Sequence, residues 1–127
     1  MASDPKAVSL AYLKATGEKQ WDKLTALLHP DLDFKMPGMN LNKVDFVSSV
    51  SKLGPILLRN DIKKVFVDGD EVCVIYDFVT DTPVGAVPSV EWLKIQDAHV
   101  RSIWLLFDRQ PWPAVLEELA RRAGRAS

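Results

Sequence analysis

Glu91 is a carboxylate set among residues of the wrong kind for it. In Val90-Glu91-Trp92-Leu93-Lys94-Ile95-Gln96, apolar and polar residues alternate with the period of two expected of a half-buried strand. Glu91 falls on the face of Leu93 and Ile95. Val90, Trp92, Lys94 and Gln96 take the other face, so Glu91 points toward apolar material. Burial disfavours the ionised form of an acid and raises its pKa, which suits a cleft acid to hold or exchange a proton; a structural carboxylate tied to a partner gives the same pattern. Tyr12, on the inward face of a first helix, is placed to donate either to Glu91 or to a ligand oxygen, with a plain core tyrosine as the alternative. Tyr76 is a second candidate donor, its alternative being a strand aromatic with a wet tip. Asp77 alternates to the opposite face and reads as a solvated or subunit-facing carboxylate.

Other chemistries find little support. His29 precedes a proline at the end of a helix and His99 sits beside a turn, neither at metal-ligand spacing from another His, Cys or carboxylate, so no metal is expected. The single cysteine, Cys73, has no partner for an internal disulfide and no histidine or cation beside it to activate a thiolate. It reads as a small core residue. There is no glycine-rich phosphate loop, and no cofactor is expected. Arg121, Arg122 and Arg125 read as the solvated end of a terminal helix.

The elements that must position Glu91 and Tyr12 follow from spacing and punctuation. Asp4-Pro5 opens a helix of about Pro5 to Thr16 with Val8, Tyr12 and Ala15 on one face. Gly17 breaks it, and Trp21, Leu24, Leu27 and Leu28 continue at helical spacing until His29-Pro30. Leu32 to Met36 alternates as a strand ended by Pro37-Gly38, with Phe34 and Met36 inward. Asn42 and Asp45 form a capping-box pattern for a third helix that ends at Gly54-Pro55. Ile62 to Val67 and Val72 to Thr80 make a hairpin around Asp68-Gly69-Asp70, and Pro83, Gly85 and Pro88 separate it from the Glu91 strand. Val100 to Phe107 is the last strand, and a short helix follows from Ala114 to Arg122 with Leu116 and Leu119 docking. The register of the last hairpin decides the site. A three-residue loop, Gln96-Asp97-Ala98, puts Glu91 on the face of Ile103, Leu105 and Phe107, whereas a two-residue loop pairs it with Trp104.

With 127 residues, 47% of them hydrophobic, and sixteen basic against seventeen acidic side chains, the chain reads as one soluble domain over 1–127. It has no basic stripe for nucleic acid and no apolar run long enough for a signal or a membrane span, so no nucleic-acid or membrane partner and a cytoplasmic location are expected. Helices first and strands afterwards predict an α+β fold with an antiparallel sheet and the helices packed on one face.

Two stretches carry a resemblance. AYLKATGEKQWDKLTALLHPDLDFKMPG has the opening rhythm, and VEWLKIQDAHVRSIWLLFD the final hairpin, of the nuclear transport factor 2-like superfamily, which includes ketosteroid isomerases, SnoaL-like polyketide cyclases and limonene epoxide hydrolases. The resemblance implies a cone-shaped fold, its curved antiparallel sheet wrapped around an apolar pocket with the N-terminal helices on the concave face. It places Tyr12 at the ketosteroid isomerases' oxyanion tyrosine and Glu91 at their protonated acid, while Met36 stands where their general base belongs. Leu105 replaces the acid of the cyclases and epoxide hydrolases; Ile75 and Asp77 replace the latter's arginine and acid. The implied pocket wall is Phe34, Met36, Val74, Tyr76, Phe78, Leu93, Leu105 and Phe107, enclosing a small hydrophobic molecule. The functional expectation is an isomerase or cyclase of a steroid-like or polyketide-like carbonyl compound, with Tyr12 and Glu91 as donors to its oxygen or Glu91 as the base. The alternatives are a non-catalytic ligand carrier or sensor, or a protein-interaction module. Trp92 and Trp104 on the outer sheet face imply a homodimer, as relatives commonly form.

Overall fold

The structure is a computed structural model and describes residues 4–126, with side chains through residue 124. Helix α1 (Pro5–Gly17) starts as its sequence dictates, with Asp4 accepting from the Lys6 amide and Pro5 in the first turn. A short helix α2 (Trp21–Leu27) follows. It gives way at Leu28 to strand β1 (Leu28–Met36), so His29 and Pro30 lie in the strand and His29 does not cap a helix. Its Nε2 sits 3.8 Å from the Asp97 carboxylate. Pro37 and Gly38, the latter at φ 81°, turn the chain into a strand absent from the sequence reading, β2 (Met39–Leu41). Helix α3 (Lys43–Ser51) is capped by Asn42, whose side chain accepts from Asp45 N, and a 3-10 turn (Gly54–Ile56) leads to the long strands.

Those strands are β3 (Leu57–Asp68), β4 (Glu71–Thr80), β5 (Ala86–Gln96) and β6 (His99–Phe107), and helix α4 (Trp112–Ala126) closes the described chain. The six strands form one curved, unclosed sheet in the order β2-β1-β6-β5-β4-β3, and helices pack in its concavity. The sheet is mixed, not wholly antiparallel: β1 lies parallel to β6, with Phe34 opposite Ile103. Strand β5 starts before Pro88, which the punctuation had assigned to a loop. Pro88 O accepts from Asp108 N beyond the last β6 pair, so the missing proline N–H faces the frayed end of that ladder.

The β5/β6 register was reached by an unexpected route. Gln96 pairs with His99, so the turn has two residues, Asp97 and Ala98, both at positive φ (54° and 62°). Continued unchanged, that register would pair Glu91 with Trp104. A bulge instead moves the pairing from Ile95↔Val100 to Lys94↔Ser102, leaving Arg101 unpaired and setting Glu91 opposite Leu105. The extra residue that a three-residue loop would have held in the turn sits in the strand, so Glu91 faces Leu105 although the loop has two residues.

The core joins Val8, Tyr12 and Leu13 of α1 to Leu24, Phe34 and Phe46 and to the inward row Val72, Val74, Leu93 and Ile103 of the sheet. Cys73 is half-buried on the opposite face, paired between Phe66 and Trp92, and so is not a core residue. Arg122 is not a solvated helix end either: it bonds the Asp81 side chain and backbone and the Pro55 carbonyl, and with Arg121 it holds Glu118. The Arg125 side chain lies outside the described residues. Val115 is fully buried and Leu119 partly so, whereas Leu116 remains exposed at the rim of a cavity.

Candidate functional site

Between the concave sheet and the helices lies a cavity of about 360 Å³. Tyr12 and Thr16 of α1 enter it from one side. Phe34 and Met36 come from β1, and Phe46 and Val50 from α3. Tyr76 and Phe78 of β4, Ser89 and Glu91 of β5, and Leu105 and Phe107 of β6 form the sheet wall. Val74 and Leu93, expected in that wall, are instead fully buried in the core cluster on the same sheet face and do not reach the cavity.

At the closed end, both oxygens of the Glu91 carboxylate accept from tyrosines: Tyr12 Oη donates to Oε1 at 2.8 Å and Tyr76 Oη donates to Oε2. All three residues are 2–4% exposed. Tyr76 therefore has no wet tip, and the two tyrosines that the sequence offered as separate donors meet on one acid. Burial pushes the Glu91 pKa up, and the two phenol hydrogen bonds pull it partly back by favouring the carboxylate. Burial first, and the neighbouring charge of Glu91 second, lift both tyrosines well above the ordinary phenol range, so they stay protonated.

A proton count determines what the cluster can offer a ligand. With Glu91 ionised, both phenol protons are committed to it, and the tyrosines present only lone pairs to the cavity. One added proton on Glu91 lets the acid donate to a phenol oxygen and frees one tyrosine hydroxyl to turn toward a ligand. The cluster thus switches from acceptor to donor by a single protonation. Among the described residues, Glu91 is the one carboxylate in the cavity lining, which contains no histidine, lysine or arginine. No group of three or more His, Cys, Asp or Glu side chains among the described residues is placed to hold a metal ion. Asp77 points away and sits 3.4 Å from Lys63 Nζ.

The sequence reading missed a second wall. Trp112 packs edge-on against Phe78 and Phe107, with ring centroids 6.0 and 5.1 Å away, and Leu116 follows one turn later. The only local signal was the Pro111-Trp112-Pro113 run, which reads as a helix entrance. Asn60, Ser89 and Val87 also line the cavity.

No protein-family model matches this chain, and no curated protein matches it. Solved structures do. An NTF2-like protein of unknown function from Cytophaga hutchinsonii has a TM-score of 0.74 at 16% identity, over 88% of this chain and 96% of that one. IdmH of Streptomyces antibioticus, described as a candidate polyketide cyclase, has a TM-score of 0.78 at 12% identity, over 91% and 99%. A candidate ketosteroid isomerase from Kribbella flavida has a TM-score of 0.72 at 16% identity, over 82% and 77%. The chain has the nuclear transport factor 2-like fold.

Proposed function

We propose that this chain takes a small hydrophobic ketone into the cavity and isomerises or cyclises it by proton transfer through Glu91. The observation that supports this reading most is that two buried tyrosines donate to the one carboxylate that lines a mostly apolar cavity among the described residues. In the first step the ionised Glu91 removes a proton from the carbon beside the carbonyl. The C–H bond breaks, an O–H bond forms on Glu91, and the electron pair moves through the new C=C bond onto the carbonyl oxygen. The proton now on Glu91 releases one phenol hydroxyl, which donates to the enolate oxygen as its charge develops. Return of the proton to another carbon, or attack of the enolate carbon on a second carbonyl, completes the isomerisation or cyclisation. Met36 and Leu105, at the positions where the resemblance implies acids, leave Glu91 as the base.

Thermal-shift and turnover measurements with a panel of steroid, polyketide and terpenoid ketones test this. The wild type is stabilised by at least one compound and turns it over, with kcat/KM rising as pH rises through the raised Glu91 pKa; Glu91→Gln binds but does not turn over. Equal turnover in Glu91→Gln contradicts the reading. Binding without turnover in either protein supports the second reading, a carrier or sensor, which the aliphatic Met36 and Leu105 in the cavity lining, where the resemblance implies acids, favour.

We also propose that the convex sheet face pairs two copies of the chain. Trp92 and Trp104 lie directly opposite each other on β5 and β6, and Ile75, Leu106 and Phe66 extend the same face; all five are between 37% and 53% exposed.

A further inference from the structure

Helix α4 supplies a cavity wall that no strand contributes. Trp112 and Leu116 line the cavity one helical turn apart, and the Trp112 ring lies edge-on to two other lining residues, Phe78 of β4 and Phe107 of β6. That wall is fixed at both ends. On its near side, Asp108 N donates to Pro88 O, Gln110 N to the Asp108 carboxylate and Trp112 N to Arg109 O, which winds the chain from β6 directly into the helix. On its far side, Val115 is fully buried and Arg122 donates to Pro55 O and to the Asp81 carboxylate. The ring can move aside for a longer molecule only by breaking several of these contacts together.

The sheet register gives the distance from this wall to the acid. Glu91 pairs with Val74 and Leu105; the next row on the concave face holds Tyr76, Ser89 and Phe107, and the row after it Phe78 and Val87. Each row is a two-residue step of about 7 Å, so Trp112, packed on Phe107 and Phe78, stands one to two steps from the Glu91 row, roughly 7–14 Å along the strands. The widths of the indole and of the Glu91 cluster come out of that interval, and what remains suits two fused rings. The volume agrees with the length: about 360 Å³ is near the bottom of the roughly 300–1,000 Å³ usual for ligand cavities.

We infer that Trp112 determines specificity by length: it blocks the cavity along the strands and restricts the ligand to a two-ring ketone, whose carbonyl faces the Tyr12–Glu91–Tyr76 cluster and whose far ring rests against Phe78, Phe107 and Trp112. The inference rests on the proposed pocket function and narrows its substrate class, excluding four-ring skeletons. A two-ring ketone buries its far ring among the three aromatic side chains; a four-ring ketone with its carbonyl at the cluster collides with the indole.

The test titrates tetralones, which are two-ring ketones, and a four-ring steroid ketone into wild type and Trp112→Ala. Wild type is expected to bind at least one tetralone about tenfold more tightly than the steroid, although the steroid has more apolar surface to bury, and Trp112→Ala to reverse that order. Because Trp112→Ala also strips the contacts with Phe78 and Phe107 and its folding is at risk, wild type labelled with fluorotryptophan gives an independent readout. Its Trp112 fluorine resonance, assigned with Trp112→Phe, is expected to shift when the tetralone binds. Wild type that binds the steroid as tightly as every tetralone, an affinity ratio unchanged in Trp112→Ala, or an unmoved Trp112 resonance in the tetralone complex overturns the inference while leaving the pocket function standing. Failure of all these ketones to bind wild type overturns the pocket reading and this inference with it.

Discussion

Glu91 and its two tyrosines share three protonation sites in a dry place, and the consequences reach both stability and chemistry. Burial raises the folded pKa of Glu91, so the folded state binds its proton more tightly than the unfolded chain does. The corresponding stability is present below the ordinary carboxylate pKa and is lost as pH rises through the raised folded value. Glutamine does not titrate. The stability of Glu91→Gln relative to wild type should therefore grow with pH across that window and level off above it, as urea midpoints at a series of pH values will show. Tyr76→Phe removes the donor to Oε2, and should cost about 1.5–3 kcal/mol and raise the Glu91 pKa further, since that hydrogen bond pulls it down. Alternation alone made Glu91 legible as an inward charge, and helical phase did the same for Tyr12. That both tyrosines meet on one carboxylate depends on the packing of α1 across the sheet, and no spacing within either element encodes it.

Bulges set which side chains face the cavity. The β5/β6 hairpin begins with a two-residue turn and is corrected by one extra residue at Arg101; β3 is reversed over Asn60 and Ile62 by a pair of such shifts. The turn itself pays a conformational cost at Ala98, whose φ of 62° suits glycine. Ala98→Gly should stabilise the fold by about 1 kcal/mol, read as a higher denaturation midpoint with unchanged slope; a loss of stability would mean the turn is not of this type. Helix caps at Asp4 and Asn42 and the glycine turns were readable because their chemistry is local. The parallel pairing of β1 with β6 joins Phe34 to Ile103 across the whole sequence, and strand β2 is three residues long, so neither leaves a local pattern. Pro30 and the helical phase of Leu27 and Leu28 likewise disguised the start of β1.

At the scale of the molecule, the curved sheet has two working faces. Its concave side encloses the cavity under α1, α3 and α4, and its convex side carries the exposed tryptophans. Sedimentation velocity should show a dimer for wild type and a monomer for Trp92→Glu with Trp104→Glu, with Glu91 chemistry retained; a monomeric wild type would refute the proposed pairing. The α+β class was legible because helices come first and strands afterwards, whereas the apolar cavity was implied by the superfamily resemblance and alternation only marked which side chains of each strand share a face. The wall formed by Trp112 and Leu116 was not legible, since α4 reaches the cavity only through tertiary docking by Val115 and Arg122. The most direct measurement is the pH titration of the Glu91 carboxyl carbon by NMR, with and without a bound ketone. A midpoint above the ordinary carboxylate range that shifts when the ketone binds is the expected result. An ordinary midpoint, indifferent to every ketone that binds the protein, would contradict the buried acid at the centre of the site.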